Sequence, residues 1–364
     1  MIKGLPRDCF VCTDVFQIEQ QRIFQRHWIA VASASDFGSG PSSFVVVDIG
    51  DFSIILVRQE SGKIAAFHNV CRHRGTRLLT EPCGDLKNQC ITCPYHAWTY
   101  DNAGRLTGAP NMADVPDFDR SQYGLLPVAC AQWGGMVFVH LHEDTSEFTE
   151  DMGPLLSRLA NWHVDKLCCL LRTLEYDVAA NWKLLFHNYS ECYHCPTVHP
   201  DLNRVTPYRS ATNDLTEGAV LGGPMQLAEG FESVTQSGSA VGPLIAGLND
   251  EQRRSVYYYT VFPNMFVSAH PDYVMIHRLE AVDPGNTRVQ CHFLTSSEST
   301  DEGVAGACQM WDTINRQDWR VCELTQQGVT SPAYRPGPYS CLEPMPVAFD
   351  RHYRDVMDDA MPAG

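Results

Sequence analysis

Apolar and polar positions change rhythm along the chain, and that change divides it. Within Val15–Trp28, Phe16, Ile18, Ile23, Phe24 and Trp28 fall on one helical face, so residues 1–40 read as a mostly helical lead-in. Gly38-Ser39-Gly40-Pro41-Ser42-Ser43 breaks that pattern. Short β-branched runs follow at 44–48, 53–57 and 64–67, punctuated by Gly50-Asp51 and Ser61-Gly62. Asn102-Ala103-Gly104 is a turn signal, and Met136-Val137-Phe138-Val139-His140 closes the strand-rich stretch. An all-β domain over 41–145 is expected.

From residue 146 onward the pattern is mixed, which makes the chain α+β. Helices are expected near 150–163, 179–195 and 305–327, and strands at 256–262, 265–268, 273–276 and 288–293. Segment 205–250, rich in Gly, Ser, Thr and Asn, reads as a long loop region over a site. The expected domains are therefore a lead-in over 1–40, a β domain over 41–145 and a second domain over 146–364.

The β segment carries an unusual arrangement of metal-binding residues. Cys71-Arg72-His73 is followed, after nineteen intervening residues, by Cys93-Pro94-Tyr95-His96. Zinc fingers pair cysteine with cysteine and histidine with histidine at short spacings, so mixed Cys-His pairs point away from structural zinc. They match a Rieske [2Fe–2S] cluster, in which two thiolates hold one iron and two imidazoles hold the other. Each pair must come from a tight loop, and the two loops must meet tip to tip.

A second set begins at Glu191-Cys192-Tyr193-His194-Cys195-Pro196, with His199 beyond it. On a helix, Glu191 and His194 share a face. Pro196 should end or kink that helix near Cys195, leaving His199 on the following loop, free to turn back. Two such histidines supply two corners of a 2-His-1-carboxylate iron site. Periodicity nominates the carboxylate. Asp318 lies seven residues after Trp311 on the apolar stripe Trp311, Ile314, Val321, and a core-facing aspartate is costly unless paired or metal-bound. Asp312 and Glu323 fall off that face. His187 reads as packing or as a neighbour of the site, and Cys192 and Cys195 as small buried residues.

Together these motifs resemble the catalytic α subunits of Rieske non-heme iron oxygenases, over nearly the whole chain. The resemblance implies a C-terminal antiparallel sheet wrapped around a long helix, a [2Fe–2S] cluster on Cys71, His73, Cys93 and His96, and a mononuclear Fe(II) on His194, His199 and Asp318. It implies a head-to-tail homotrimer in which Glu191 bridges His96 of one chain and His194 of the next. Glu191-Cys192-Tyr193-His194-Cys195 and Gln317-Asp318-Trp319 are similar to the branch acting on carnitine, glycine betaine and stachydrine. Monooxygenation or demethylation of an N-methylated compound is the implied reaction. An aromatic-ring dioxygenase and a Rieske electron carrier are the alternatives. Ala97, where glycine is usual, and His187, where an acid is common, depart from the pattern.

Composition narrows the setting. The chain has 364 residues, enough for two cores, with 19% charged and 44% hydrophobic positions. A formal net charge of −16 argues against nucleic acid and suits docking of a basic redox partner. No dinucleotide-binding glycine fingerprint is present, so electrons from NAD(P)H would arrive through a separate reductase, with or without a ferredoxin. There is no apolar run of membrane-spanning length and no secretory h-region, which makes the cytoplasm the expected location and the fifteen cysteines reduced thiols or ligands. Tyr257, Tyr258, Tyr259, Phe262 and Phe266 are candidates for an aromatic cage around a cationic substrate, although alternation lets at most half of them face one pocket.

Overall fold

The structure is a computed structural model that describes residues 2–142 and 145–360. Contacts divide the chain into two compact units, Phe24–Thr145 and a second made of Met1–Ile23 with Ser146–Gly364.

The first unit is built on a seven-stranded antiparallel sheet. Its strands are β1 (Ile29–Ser33), β2 (Ser43–Ile49), β3 (Phe52–Arg58), β4 (Ile64–His68), β5 (Cys83–Asp85), β9 (Pro127–Trp133) and β10 (Met136–His140), in the order β1-β10-β9-β4-β3-β2-β5. A small sheet of β6 (Cys90–Thr92), β7 (Thr99–Asp101) and β8 (Leu106–Gly108) carries the second cysteine loop. Ile55, Phe67, Ile91, Trp98 and Tyr100 form a core beneath both loops.

The lead-in is shorter than 1–40. Its helices, α1 (Asp8–Val11) and α2 (Thr13–Glu19), run into a π-helical turn ending at Phe24 and belong to the second unit. Residues 29–33 instead form β1, paired with β10, because the wholly buried run Ile29-Ala30-Val31-Ala32 completes a sheet edge. A helical stripe and a buried strand look alike over so few residues.

In the second unit a six-stranded antiparallel sheet has the order β11-β16-β15-β14-β13-β12. These strands are β11 (Cys168–Val178), β12 (Val220–Gln226), β13 (Ser255–Val261), β14 (Met265–Ala269), β15 (Tyr273–Asp283) and β16 (Asn286–Thr295). The helices are α3 (Phe148–Asp151), α4 (Gly153–Arg158), α5 (Trp182–Tyr189), α6 (Cys195–Val198), α7 (Pro200–Val205), α8 (Asp301–Thr330) and α9 (Pro344–Met357). The 30-residue α8 starts at Thr300, whose hydroxyl accepts from the Gly303 amide at 3.1 Å, with Asp301 and Glu302 in the first turn favouring the dipole. It lies on the sheet through Trp311 Nε1 donating to the Tyr273 hydroxyl at 2.7 Å and through Asn315 with His277 at 3.2 Å. This is the sheet and long helix that the family resemblance implied. Segment 205–250 is not all loop, since it contains β12.

Candidate functional site

The two cysteine loops are copies of one turn. Cys71 N–H donates to Thr76 O at 2.8 Å and Gly75 N–H to Cys71 O at 2.9 Å. Cys93 N–H donates to Trp98 O at 2.8 Å and Ala97 N–H to Cys93 O at 3.1 Å. The fourth residue after each cysteine has positive φ, +74° at Gly75 and +57° at Ala97. Both thiols are free and 3% exposed, while His73 and His96 are exposed at the tips. The two imidazoles lie 4.8 Å apart, edge to face, and His73 stacks on Trp98. Arg74 reaches over the Tyr95 ring and donates to its hydroxyl at 3.3 Å, so the tips do meet.

Burial alone would raise the Cys93 thiol, yet bonds from the Tyr95 and His96 amides, Cys71 and Thr76 bring it below its ordinary value. Tyr100 supports the other thiol, its hydroxyl 3.4 Å from Cys71 Sγ. Two buried thiols, with two imidazoles exposed outside them, fit a [2Fe–2S] cluster with sulfur inward and nitrogen outward.

In the second unit α5 begins at Asn181, whose side chain accepts from the Lys183 amide at 3.1 Å and donates to Pro284 O at 2.8 Å. The helix ends at Tyr189, so Glu191 and His194 are not on a helix. They occupy an open turn in which the Glu191 carboxylate accepts from the Tyr193 and His194 amides. Pro196 does not end a helix either. It sits in the first turn of α6, where its missing N–H costs nothing. His199 takes φ −127° and ψ 64° between α6 and α7, which turns its ring back toward His194. The cysteines beside His194 are not separate thiols, because Cys192 and Cys195 form a disulfide with Cα atoms 5.0 Å apart.

The side chains converge across these elements. His199 Nε2 lies 2.7 Å from Asp318 Oδ1 and His194 Nε2 lies 3.3 Å from the same oxygen. The ligand atoms of His194, His199 and Asp318 all lie within 4.8 Å of one another. The outward nitrogens are held too, His194 Nδ1 by Glu191 Oε1 at 2.7 Å and His199 Nδ1 by Gln317 Oε1 at 2.7 Å.

Electrostatics match this geometry. Burial would disfavour a charged His194, but Asp318 and Glu191 outweigh it and raise the imidazole to about 10. Burial would raise Asp318, but its bonds from the two histidines lower it to about 2. The centre of the triad therefore attracts positive charge. Two imidazoles and one carboxylate facing that point fit a divalent iron with open coordination positions.

An open cavity of about 710 Å³ meets the triad. Trp311, Ile314 and Asp318 reach it from one stripe of α8, and Tyr189 and Tyr258 add aromatic surface. Of the five cage candidates only Tyr258 borders it. Tyr257 packs on Trp162, Tyr259 bonds Asp214 at 3.1 Å, and Phe262 and Phe266 pack on Trp182 and Phe186. Segment 211–213 also lines the cavity, crossing β12 at Gly222 and Gly223. A Cβ on Gly223 would lie 2.2 Å from Thr212 O, so that crossing requires glycine. Glu191 and His194 also border a second cavity, of about 960 Å³, together with His187. His187 is held there by the buried Asp350 at 2.7 Å.

Gln317 and the cavity residues Trp311 and Tyr189 carried no assigned role in the sequence reading. For Trp311 the signal was present, since it shares the stripe of Asp318. Nothing in periodicity marks a glutamine one residue off that stripe.

Residues 164–359 match the ring hydroxylating alpha subunit (catalytic domain) family and residues 27–119 match the Rieske [2Fe-2S] domain. The glycine betaine monooxygenase oxygenase subunit of Chromohalobacter salexigens is 31% identical, across 93% of this chain and 82% of that protein. The chain belongs to the Rieske non-heme iron oxygenases, as the catalytic α subunit, and its cofactors are a [2Fe–2S] cluster and a mononuclear iron. Two solved structures share the fold. A quaternary ammonium Rieske monooxygenase, described in connection with carnitine oxidation by gut microbiota, superposes with a TM-score of 0.77 at 22% identity, covering 96% of this chain and 94% of that one. Naphthalene 1,2-dioxygenase from Rhodococcus sp. also gives 0.77, at 19% identity, covering 98% and 95%.

Proposed function

We propose that this oxygenase hydroxylates an N-methyl group of a small quaternary ammonium or N-methylated compound, which then loses formaldehyde. The observation that carries the reading is the meeting of the His194–His199–Asp318 triad with a cavity walled by Tyr189, Tyr258 and Trp311. Aromatic faces attract a methylated ammonium without hydrogen-bonding it, so its methyl groups can turn toward the triad. The 31% identical relative is named for glycine betaine, which agrees with that chemistry.

In this reading Cys71, His73, Cys93 and His96 hold the cluster, and His194, His199 and Asp318 hold the iron. When bound there, the cluster would supply single electrons and the iron would activate dioxygen. Glu191 accepts from His194 Nδ1, which keeps that ring's Nε2 directed inward. In a head-to-tail trimer the Glu191 carboxylate would meet His96 of a neighbouring copy, and so link the two centres across subunits. A separate NAD(P)H-dependent reductase completes the system. Among the described residues no helix is long and apolar enough to cross a membrane.

The test is turnover of a panel of betaines, N-methyl amines and aromatic acids under labelled dioxygen, with a reductase supplied. The expected result is formaldehyde and demethylated product from an N-methyl compound. A cis-diol carrying both labelled atoms, formed only from an aromatic acid, would replace this reading with a dioxygenase.

A further inference from the structure

The two histidines of the triad are aimed by different chemistry. His194 leans on a carboxylate, Glu191, whereas His199 leans on a neutral amide, Gln317. His199 is only 2% exposed, so its ring is held within the protein. A neutral imidazole has a single N–H. If Nε2 is given to a metal, the proton must sit on Nδ1, and it needs an acceptor there. Gln317 Oε1 stands 2.7 Å from that nitrogen.

Gln317 directly precedes Asp318 on α8. One turn of helix therefore delivers both the carboxylate beside His199 Nε2 and the acceptor on its Nδ1, and the ring is clamped from both ends. A shift of α8 would move carboxylate and acceptor together. The amide also adds no charge to a buried ring that already faces Asp318.

We infer that Gln317 is a positioning residue that fixes the tautomer and ring angle of His199 and so sets the affinity of the site for iron. The inference rests on the proposed reading that His199 and Asp318 hold the metal. Gln317 also borders a separate cavity of about 980 Å³, so side chains of similar length can be accommodated in its place.

The experiment is competition for Fe(II) between an anaerobic, reduced holoprotein and a coloured chelator, with the cluster's visible spectrum followed alongside. Gln317→Met keeps length and packing but removes the acceptor. It is expected to weaken iron binding about 10–100-fold and to leave the cluster spectrum unchanged. Gln317→Glu restores an acceptor and adds charge behind the ring, so it is expected to hold iron at least as tightly as the parent. Unchanged affinity in Gln317→Met overturns the inference. Equal loss in both variants also overturns it, because packing would then be the role. His199→Ala is the control for the underlying reading. If that variant retains iron, the metal assignment itself fails, whereas iron loss in His199→Ala beside full retention in Gln317→Met removes only the role of Gln317.

Discussion

Gly75 and Ala97 occupy the same place in two copies of one turn, yet only one of them is the residue that suits it. Left-handed φ costs an L-residue roughly 1–2 kcal/mol, while glycine adopts it freely at the expense of a more flexible unfolded chain. Ala97→Gly should therefore stabilise the first unit by about 0.5–1 kcal/mol. Gly75→Ala should destabilise it by about 1 kcal/mol, because no atom lies within 4 Å of the added Cβ and only the backbone term remains. Loss of the cluster's visible absorbance on heating reads both, and a destabilising Ala97→Gly or a stabilising Gly75→Ala would show that the two loops are not equivalent. At this scale much was legible. The Cys-His pairs, Glu191, His194, His199 and Asp318 were all visible as residue types at telling spacings. The Cys192–Cys195 disulfide was not, because the scattered cysteines and the absence of an export signal pointed toward free thiols.

Elements decide whether those residues meet. The expected helix through Glu191 and His194 stops at Tyr189, and the open turn that follows lets Glu191 accept amides that a helix would have used internally. Helical periodicity cannot show where a helix stops when the residues beyond it keep a suitable spacing. The start of α5 is set from further away. Lys183 Nζ meets Glu19 Oε1 at 2.6 Å, and Tyr353 and Trp182 donate to the same carboxylate at 2.6 and 2.9 Å. The lysine side chain is fully buried. This buried group of side chains ties α2 and α9 to the helix leading into the turn of Glu191 and His194. Lys183→Met strands the Glu19 charge and should cost about 3–5 kcal/mol, read from denaturant unfolding of the second unit. A cost under about 1 kcal/mol would mean that the two hydroxyl and indole donors suffice.

Asp272 gives the same unit a pH dependence. It holds segment 233–241 through the Ser233 hydroxyl at 2.7 Å and the Val241 amide at 2.6 Å. Burial outweighs those bonds and raises its carboxyl from 3.8 to about 6. The folded state therefore binds the proton more tightly than the unfolded one. The stability this contributes is complete below pH 4 and is lost as pH rises through about 6, by roughly 3 kcal/mol in all. Asp272→Asn should flatten the fall in unfolding midpoint between pH 4 and 7, and an unchanged slope would assign that fall to other groups.

At the scale of the whole molecule, the β domain followed from runs of β-branched residues, whereas the second unit's sheet with its long helix was implied by the family resemblance, periodicity giving only separate strands and a helix. The long-range pairings followed from neither. Residues 29–33 became a strand because β10 offered an edge, and β12 arose inside a polar segment because Gly222 and Gly223 let the chain cross so closely. Such partners lie far away in sequence and leave no local trace. For the same reason four of the five aromatic cage candidates proved to be core packing, while Trp311 and Tyr189 reached the cavity from other elements.

The central claim is that one chain carries two separate metal sites, a cluster on Cys71, His73, Cys93 and His96 and an iron on His194, His199 and Asp318. Iron and acid-labile sulfide per chain, measured in the parent protein and in His199→Ala, test it most directly. The account predicts an iron-to-sulfide ratio of about 3:2 in the parent and about 2:2 in the variant, with the same visible spectrum in both. An unchanged ratio in His199→Ala, or a bleached spectrum, would contradict it.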